Sequence, residues 1–72
     1  MKNLSKFMNN RRKQEGWTVR KLARALGFSS SRLINIEKGR AKPDDKNYFI
    51  NRVAALLNLW NEDRKTIIRL MG

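Results

Sequence analysis

The feature that most constrains this chain is a pair of short amphipathic segments between Trp17 and Gly39, separated by a single Leu-Gly-Phe turn. The apolar residues of the first segment have the i, i+3, i+4, i+7 spacing of a helix that faces a core: Val19, Leu22, Ala23 and Leu26. Thr18 and Ser29 are residue types that cap helix N-termini, and Gly27 can end a helix in the left-handed conformation. The pattern therefore predicts two helices, helix 2 and helix 3, joined by a tight turn.

Helix-length segments also lie on both sides of this pair, and the chain shows no sustained alternation of polar and apolar residues. Helix 1 is expected over about residues 4–14, with Asn3 as its N-cap. The prediction is an all-α, compact five-helix fold that forms a single domain over residues 1–72. The helix-turn-helix is expected at about 18–38, and helix 4 and the last helix at about 44–71.

The C-terminal part of the chain divides into helix 4 and a last helix. Helix 4 is expected to begin near Pro43, with Asp44 and Asp45 in its first turn, where carboxylates suit the positive end of the helix dipole. Asn58 is expected to end this helix, and Asn61 to cap the last one. More apolar surface follows than a lone small domain can hide: Leu56, Leu57, Leu59, Trp60, Ile67, Ile68, Leu70 and Met71. Two interpretations stay open, a last helix folded back on helix 4 and a homodimer interface.

Charge is distributed unevenly along the chain, which carries 17 Lys and Arg against 6 Asp and Glu for a net charge of +11. Residues 1–42 hold twelve basic and two acidic side chains, or +10, whereas residues 43–72 hold five and four, or +1. So large an excess implies a polyanionic partner. Nucleic acid, an anionic membrane and an acidic protein are the candidates.

The sequence contains no cysteine and no histidine. Disulfides, thiolate metal sites and the usual general base are therefore excluded, and we expect neither an enzyme nor a metal, cofactor or small-molecule site. No apolar run approaches the roughly twenty residues of a membrane span, and MKNLSKFMNN lacks the apolar core of a secretory signal. The chain is therefore expected inside the cell and away from membranes.

Helix 3 is expected to present an unusual outward face, because Leu33 and Ile36 mark its core side. The opposite side and the N-terminal tip carry small, polar or basic side chains and one isoleucine: Ser30, Ser31, Ile34, Asn35 and Lys38. Ser and Asn can hydrogen-bond base edges, and an apolar side chain can touch a thymine methyl. Cations flank this face, as phosphate contacts require: Arg11, Arg12, Lys13, Arg20, Lys21, Arg24, Lys38, Arg40 and Lys42.

These residues and their spacing resemble the helix-turn-helix of the XRE family, which includes the lambdoid phage repressors and Cro. The matching sequence is Arg12, then Gly16-Trp17-Thr18, then LARALG, SSSRLINIEKG and Pro43. The resemblance covers about residues 4–59. It implies a lambda-repressor-like fold, double-stranded DNA as the partner, and a location in the bacterial cytoplasm or nucleoid. It also implies that the protein is encoded by a phage or another mobile element.

The resemblance also implies an ion pair, buried or half-buried, between Arg12 and Glu37. The resemblance and the outward face of helix 3 together give the expected base-reading residues: Ser30, Ser31, Arg32, Ile34 and Asn35. Of these, Arg32 can reach either a base or a phosphate. The expected phosphate-binding residues are Arg11, Thr18, Arg20, Arg24, Lys38, Arg40 and Lys42. Val19 and Lys21 depart from the family's usual glutamine and glutamate, so no capping box is expected at Lys21.

Structural roles stay open for some of these residues. In the structural alternative, the Arg12–Glu37 pair serves the fold alone, and Ser30 and Ser31 are present because serine favours the start of a helix. Ile34 then packs against Lys38 or against a partner chain.

The sequence thus predicts a sequence-specific DNA-binding transcriptional regulator, a repressor that binds a palindromic operator as a homodimer. Trp17 and Trp60 are expected in the core or at its edge rather than as base-stacking platforms. The alternative function is a protein-interaction module, an antitoxin or an inhibitor of a nucleic-acid enzyme, which the apolar C-terminal stretch favours. A basic membrane-active peptide is a third class, and the glycine- and proline-punctuated segments disfavour it.

Overall fold

Five α-helices make up the computed structural model, which describes residues 3–71. They are α1 (Ser5–Gln14), α2 (Val19–Leu26), α3 (Ser30–Glu37), α4 (Lys46–Leu57) and α5 (Asn61–Met71). The described residues contain no β-strand. The all-α prediction with five helices is confirmed.

Local capping explains where α2 and α3 begin and where α2 ends. The Thr18 hydroxyl accepts a hydrogen bond of 3.1 Å from the Lys21 N–H, and the Ser29 hydroxyl accepts one of 3.1 Å from the Arg32 N–H. Gly27 has φ +78°, a left-handed conformation that favours glycine. These three predictions from the sequence are confirmed.

The start of α4 differs from the prediction that it carries two carboxylates in its first turn. The helix begins at Lys46, and Asp45 is its N-cap, with a side-chain oxygen 3.0 Å from the Tyr48 N–H. Asp45 is better used outside the helix, where its carboxylate satisfies a backbone N–H that has no helical partner. Asp44 is thereby left one residue further out, with an exposed side chain.

The other helix ends agree with the sequence apart from shifts of one residue. The predicted N-cap of α1 is wrong by one residue, since α1 starts at Ser5 and Leu4 rather than Asn3 precedes it; the Asn3 side chain nevertheless accepts a 2.9 Å hydrogen bond from the Ser5 N–H. Asn58 ends α4 at φ +54°, as predicted. Asn61 is the first residue of α5 rather than its cap, because the Trp60 carbonyl accepts the Arg64 N–H at 3.0 Å.

One hydrophobic core joins the five helices. Its fully buried side chains are Leu4, Met8, Leu22, Leu33, Phe49, Val53, Leu57 and Ile67. In this core α2 packs against α3 and α4, and α5 folds back on α4. A backbone hydrogen bond of 2.8 Å from the Leu4 N–H to the Glu37 carbonyl also ties the start of α1 to the end of α3.

The two tryptophans have different environments. Trp17 is partly buried against the core, as predicted. Trp60 is 81% exposed, so its predicted place in or at the edge of the core is wrong. The turn after Asn58 directs Leu59 inward, where it is 8% exposed, and the next residue is left facing outward.

None of the helices within residues 3–71 has the length and apolar character needed to cross a membrane.

Candidate nucleic-acid interface

The outward face of α3 follows from the way the helix is packed. Leu33 and Ile36 are buried, so the other side of α3 is turned away from the core. Ser31 is exposed there, and Ser30, Ile34 and Asn35 are partly exposed. The structure therefore gathers on one surface the small and polar side chains that the sequence singled out.

Asn35 lies on this surface in the middle of α3. Within residues 3–71 its amide group makes no hydrogen bond. An asparagine in mid-helix has poor helix propensity, and here no local contact compensates for it. Its donor and acceptor are thus available to a partner.

The loop after α3 is drawn back onto the end of that helix. The Asn35 carbonyl accepts hydrogen bonds from the Arg40 N–H at 2.8 Å and the Ala41 N–H at 3.2 Å. Lys38, Arg40 and Lys42 are all exposed in this loop. The loop therefore places a group of cations beside the C-terminal half of α3.

A second group of exposed cations lies on α2, at Arg20 and Arg24. Across the described residues, no carboxylate lies within 4.0 Å of these two side chains or of the three cations in the loop after α3. Their charge is therefore uncompensated by close contacts and is available to a polyanion. Thr18, which precedes α2, is exposed, and its hydroxyl caps the helix.

Arg11, in contrast, is already paired. Its guanidinium lies 2.7 Å from the Asp63 carboxylate and 3.2 Å from the Gln14 side chain, and it covers the Phe7 ring at 5.3 Å. These contacts join α1 to α5. The ion pair with Asp63 offsets part of the charge that Arg11 would offer to a phosphate.

Arg12 and Glu37 form a buried ion pair between α1 and α3, with 3.1 Å between Nη2 and Oε1. Only 6% and 4% of the two side chains are exposed. The Asn9 side chain accepts a further hydrogen bond from Arg12, whereas Arg12 Nε and Glu37 Oε2 have no partner among the described residues. Burial raises the pKa of the Glu37 carboxyl, and the charge and hydrogen bond of Arg12 offset part of that rise.

Arg32, in the first turn of α3, contacts two residues for which the sequence predicted no role in this interface. Its guanidinium covers the Phe28 ring at 4.9 Å, and its Nη2 lies 3.4 Å from the Asp44 carboxylate. Phe28 in turn stacks on the buried Phe49, with ring centroids 6.1 Å apart. The four-residue spacing of Phe28 and Arg32 in the sequence could have indicated their contact. The contact with Asp44 could not have been predicted in this way, because it depends on where α4 begins.

No cluster of three or more Asp, Glu, His or Cys residues suited to a metal ion occurs in the part of the chain that the structure describes.

Comparison with known proteins agrees with this geometry and with the resemblance to XRE-type proteins. A family model described as a helix-turn-helix domain matches residues 5–72. Comparisons with curated proteins and with solved structures gave no significant match. Since the family match spans nearly the whole sequence, this chain belongs to the helix-turn-helix domain family, whose members are typically DNA-binding regulators.

Proposed function

We propose that this protein is a sequence-specific transcriptional regulator, a repressor of the Cro type that binds a palindromic DNA operator as a homodimer. One observation carries the proposal. The outward face of α3 is small and polar, and uncompensated cations lie beside it on α2 and on the loop after α3. A helix fits the major groove of B-DNA only if its side chains allow close approach, and flanking cations then reach the phosphates.

In this proposal α3 enters the major groove, with its N-terminal turn and outward face against the bases. Ser30 and Ser31 hydrogen-bond base edges, and Ile34 contacts a thymine methyl. Asn35 pairs with adenine, because its amide oxygen can accept a hydrogen bond from the N6 amino group while its amide NH₂ group donates one to N7. Arg32 supplies the charged donors that suit a guanine edge.

Phosphate contacts come from the elements on either side of α3. The residues proposed for them are Thr18, Arg20, Arg24, Lys38, Arg40 and Lys42. The first N–H groups of α2 and α3 add to these contacts, because helix N-termini favour anions. Arg11 contributes less than the sequence suggested, since its guanidinium is held by Asp63 at 2.7 Å.

The dimer is supported by apolar side chains that the core leaves uncovered. Trp60 is 81% exposed and Ile68 on α5 is 48% exposed. Large aromatic side chains of this kind are typical of the centre of a protein–protein interface. Two copies related by a two-fold axis would place their recognition helices about 34 Å apart, which is one turn of DNA. One copy alone buries too little surface on DNA for tight binding. A repressor needs no more than such a dimer, since occupying an operator blocks access to it.

The test is a selection from a random duplex DNA pool, followed by binding of the selected sequence across a salt series. We expect enrichment of a palindrome whose half-sites are about one helical turn apart. If affinity for every sequence falls steeply with salt and none is enriched, the charge binds DNA but α3 reads no sequence, and the proposal is wrong.

Two variants separate base reading from phosphate binding. Asn35→Ala should weaken binding to the selected site by about 1–3 kcal/mol and leave binding to random DNA unchanged. Lys42→Ala, the matched control on the neighbouring loop, should weaken binding to both and reduce the salt slope by about one. Equal losses on both DNAs for the Asn35 variant would remove it from the base-reading set.

The exposed Trp60 also favours a second candidate function, a protein-interaction module such as an antitoxin or an inhibitor of a nucleic-acid enzyme. This candidate predicts stable binding to an acidic protein in the absence of DNA, with no enrichment in the selection.

A further inference from the structure

Two neighbours contact the Arg32 side chain before any partner arrives. The Phe28 ring covers one face of the guanidinium at 4.9 Å, and Asp44 lies 3.4 Å from Nη2. Arg32 Nε is buried and has no hydrogen-bond partner within residues 3–71, whereas 41% of the side chain is exposed. The exposed part of the guanidinium therefore has a set orientation at the tip of α3.

The aromatic ring beneath Arg32 packs against the core. Phe28 is stacked nearly parallel to Phe49, at an angle of 11° between the rings, and Phe49 is fully buried. Side chains in a helix lean toward its N-terminus, so Arg32 comes back over Phe28 rather than away from it. A planar guanidinium stacks well on an aromatic face and keeps its edge donors free.

Asp44 changes what this arginine does. The Asp44 side chain is 96% exposed, so the ion pair contributes little to the stability of the fold. Its carboxylate does offset the charge of Arg32 in the first turn of α3, where the helix dipole is already positive. A neutralised arginine is a weak ligand for an isolated phosphate. It still presents unused N–H donors in a fixed plane, which is what the two acceptors of a guanine edge require.

We propose that Phe28 and Asp44 are positioning residues that orient Arg32 toward a guanine edge and restrain it from binding phosphates of unrelated sequences. This inference rests on the proposed DNA-reading function of α3. It adds to that function a specificity device formed by residues outside the recognition helix.

The test compares wild type, Asp44→Asn, Phe28→Leu and Arg32→Gln on the selected site, on each single base-pair change of that site, and on random DNA. All three variants should relax the preference at the same G·C pair. The loss there should be roughly five- to 150-fold for Arg32→Gln, the range of one bidentate base contact. Asp44→Asn should lower the ratio of specific to random binding by about two- to fivefold, the scale of one surface ion pair.

Freeing Arg32 should also steepen the salt slope on random DNA by about one for Asp44→Asn. Glu62→Gln is the matched control, since it removes the same charge from another exposed ion pair, with Lys65 on α5. It should leave the ratio and the base preference unchanged. In an Arg32→Gln background Asp44→Asn should have no further effect on the ratio.

Several outcomes would overturn the inference while the proposed function stands. They are an unchanged ratio in Asp44→Asn, an equal change in Glu62→Gln, or preferences relaxed at different base pairs. If wild type selects no sequence at all, the proposed function fails and this inference fails with it.

Discussion

The buried pair of Arg12 and Glu37 allows a quantitative prediction, because removing one member leaves the charge of the other buried. Replacing Arg12 by Met leaves the Glu37 carboxylate buried without its cation, and replacing Glu37 by Gln leaves the Arg12 guanidinium without its anion. With 6% and 4% of these side chains exposed, water can screen little of either charge. Each single variant should therefore lose about 3–5 kcal/mol in the free energy of unfolding.

This loss is large for a chain of 72 residues. At 0.05–0.15 kcal/mol per residue, the whole free energy of unfolding is roughly 4–11 kcal/mol. The double variant Arg12→Met with Glu37→Leu should recover most of the loss, because an apolar pair of similar volume needs no desolvation of charge. Urea denaturation followed by far-ultraviolet circular dichroism measures all four proteins.

The pH dependence separates the two single variants. The folded state raises the pKa of Glu37, so the stability that this group contributes is greatest below the unfolded-state pKa and is lost as pH rises through the folded-state pKa. Without Arg12 the rise should be larger. The deficit of Arg12→Met should therefore shrink on acidification, as the carboxyl takes up a proton, whereas that of Glu37→Gln should not, because arginine keeps its charge.

A loss below about 1 kcal/mol in both single variants, a value typical of an exposed ion pair, would contradict the assignment of Arg12 and Glu37 as a desolvated pair. A deficit of Arg12→Met that does not change between about pH 7 and pH 4 would refute the account of burial, since an uncompensated buried carboxylate must respond to protonation. A double variant less stable than either single variant would show that the ion pair stabilises the fold more than an apolar pair of similar volume does.

Three further predictions concern caps and the exposed tryptophan. Gly27→Ala should lower the free energy of unfolding by about 1–2 kcal/mol, since φ is +78° and no atom lies within 4 Å of the added methyl, so that only the backbone conformation is penalised; no change in the urea midpoint would contradict this. Thr18→Ala should cost about 1 kcal/mol in the same assay through loss of the hydrogen bond from Lys21 N–H, and Thr18→Ser, which keeps the hydroxyl, is its control. Trp60→Ser should change the stability of the monomer by less than about 0.5 kcal/mol but shift sedimentation from dimer to monomer; an unchanged sedimentation coefficient would place any dimer contact elsewhere.

Much of the candidate interface could be predicted because it depends on residues near one another in the chain. The outward direction of Ser31 and Asn35 follows from the buried positions of Leu33 and Ile36 within the same helix. The cations of the loop after α3 lie close to Asn35 because they follow it within a few residues of the chain. The Arg12–Glu37 contact, in contrast, was accessible only through resemblance, since 25 residues separate its members.

Residues that pair across the fold could not be assigned from spacing. Arg11 lies beside other cations in the sequence, which is why phosphate binding was predicted for it, but spacing gives no sign of its ion pair with Asp63, 52 residues away. Asp44 was expected inside α4, and its place beside Arg32 became possible only because Asp45 takes the cap. Either aspartate could have capped the helix, and the sequence offers no physical reason to choose between them.

Apart from the start of α4, the helices, their caps at Thr18, Ser29 and Asn58, and the excess of positive charge in the first 42 residues could be predicted from the sequence. The helices and caps depend on hydrogen bonds and apolar spacing within a few residues, and the charge excess depends on composition alone. Only the packed fold shows which charges are paired, and that Trp60 faces outward while Leu59 is buried. Side-chain partners depend on how the five helices pack together, and that packing is set by the core as a whole.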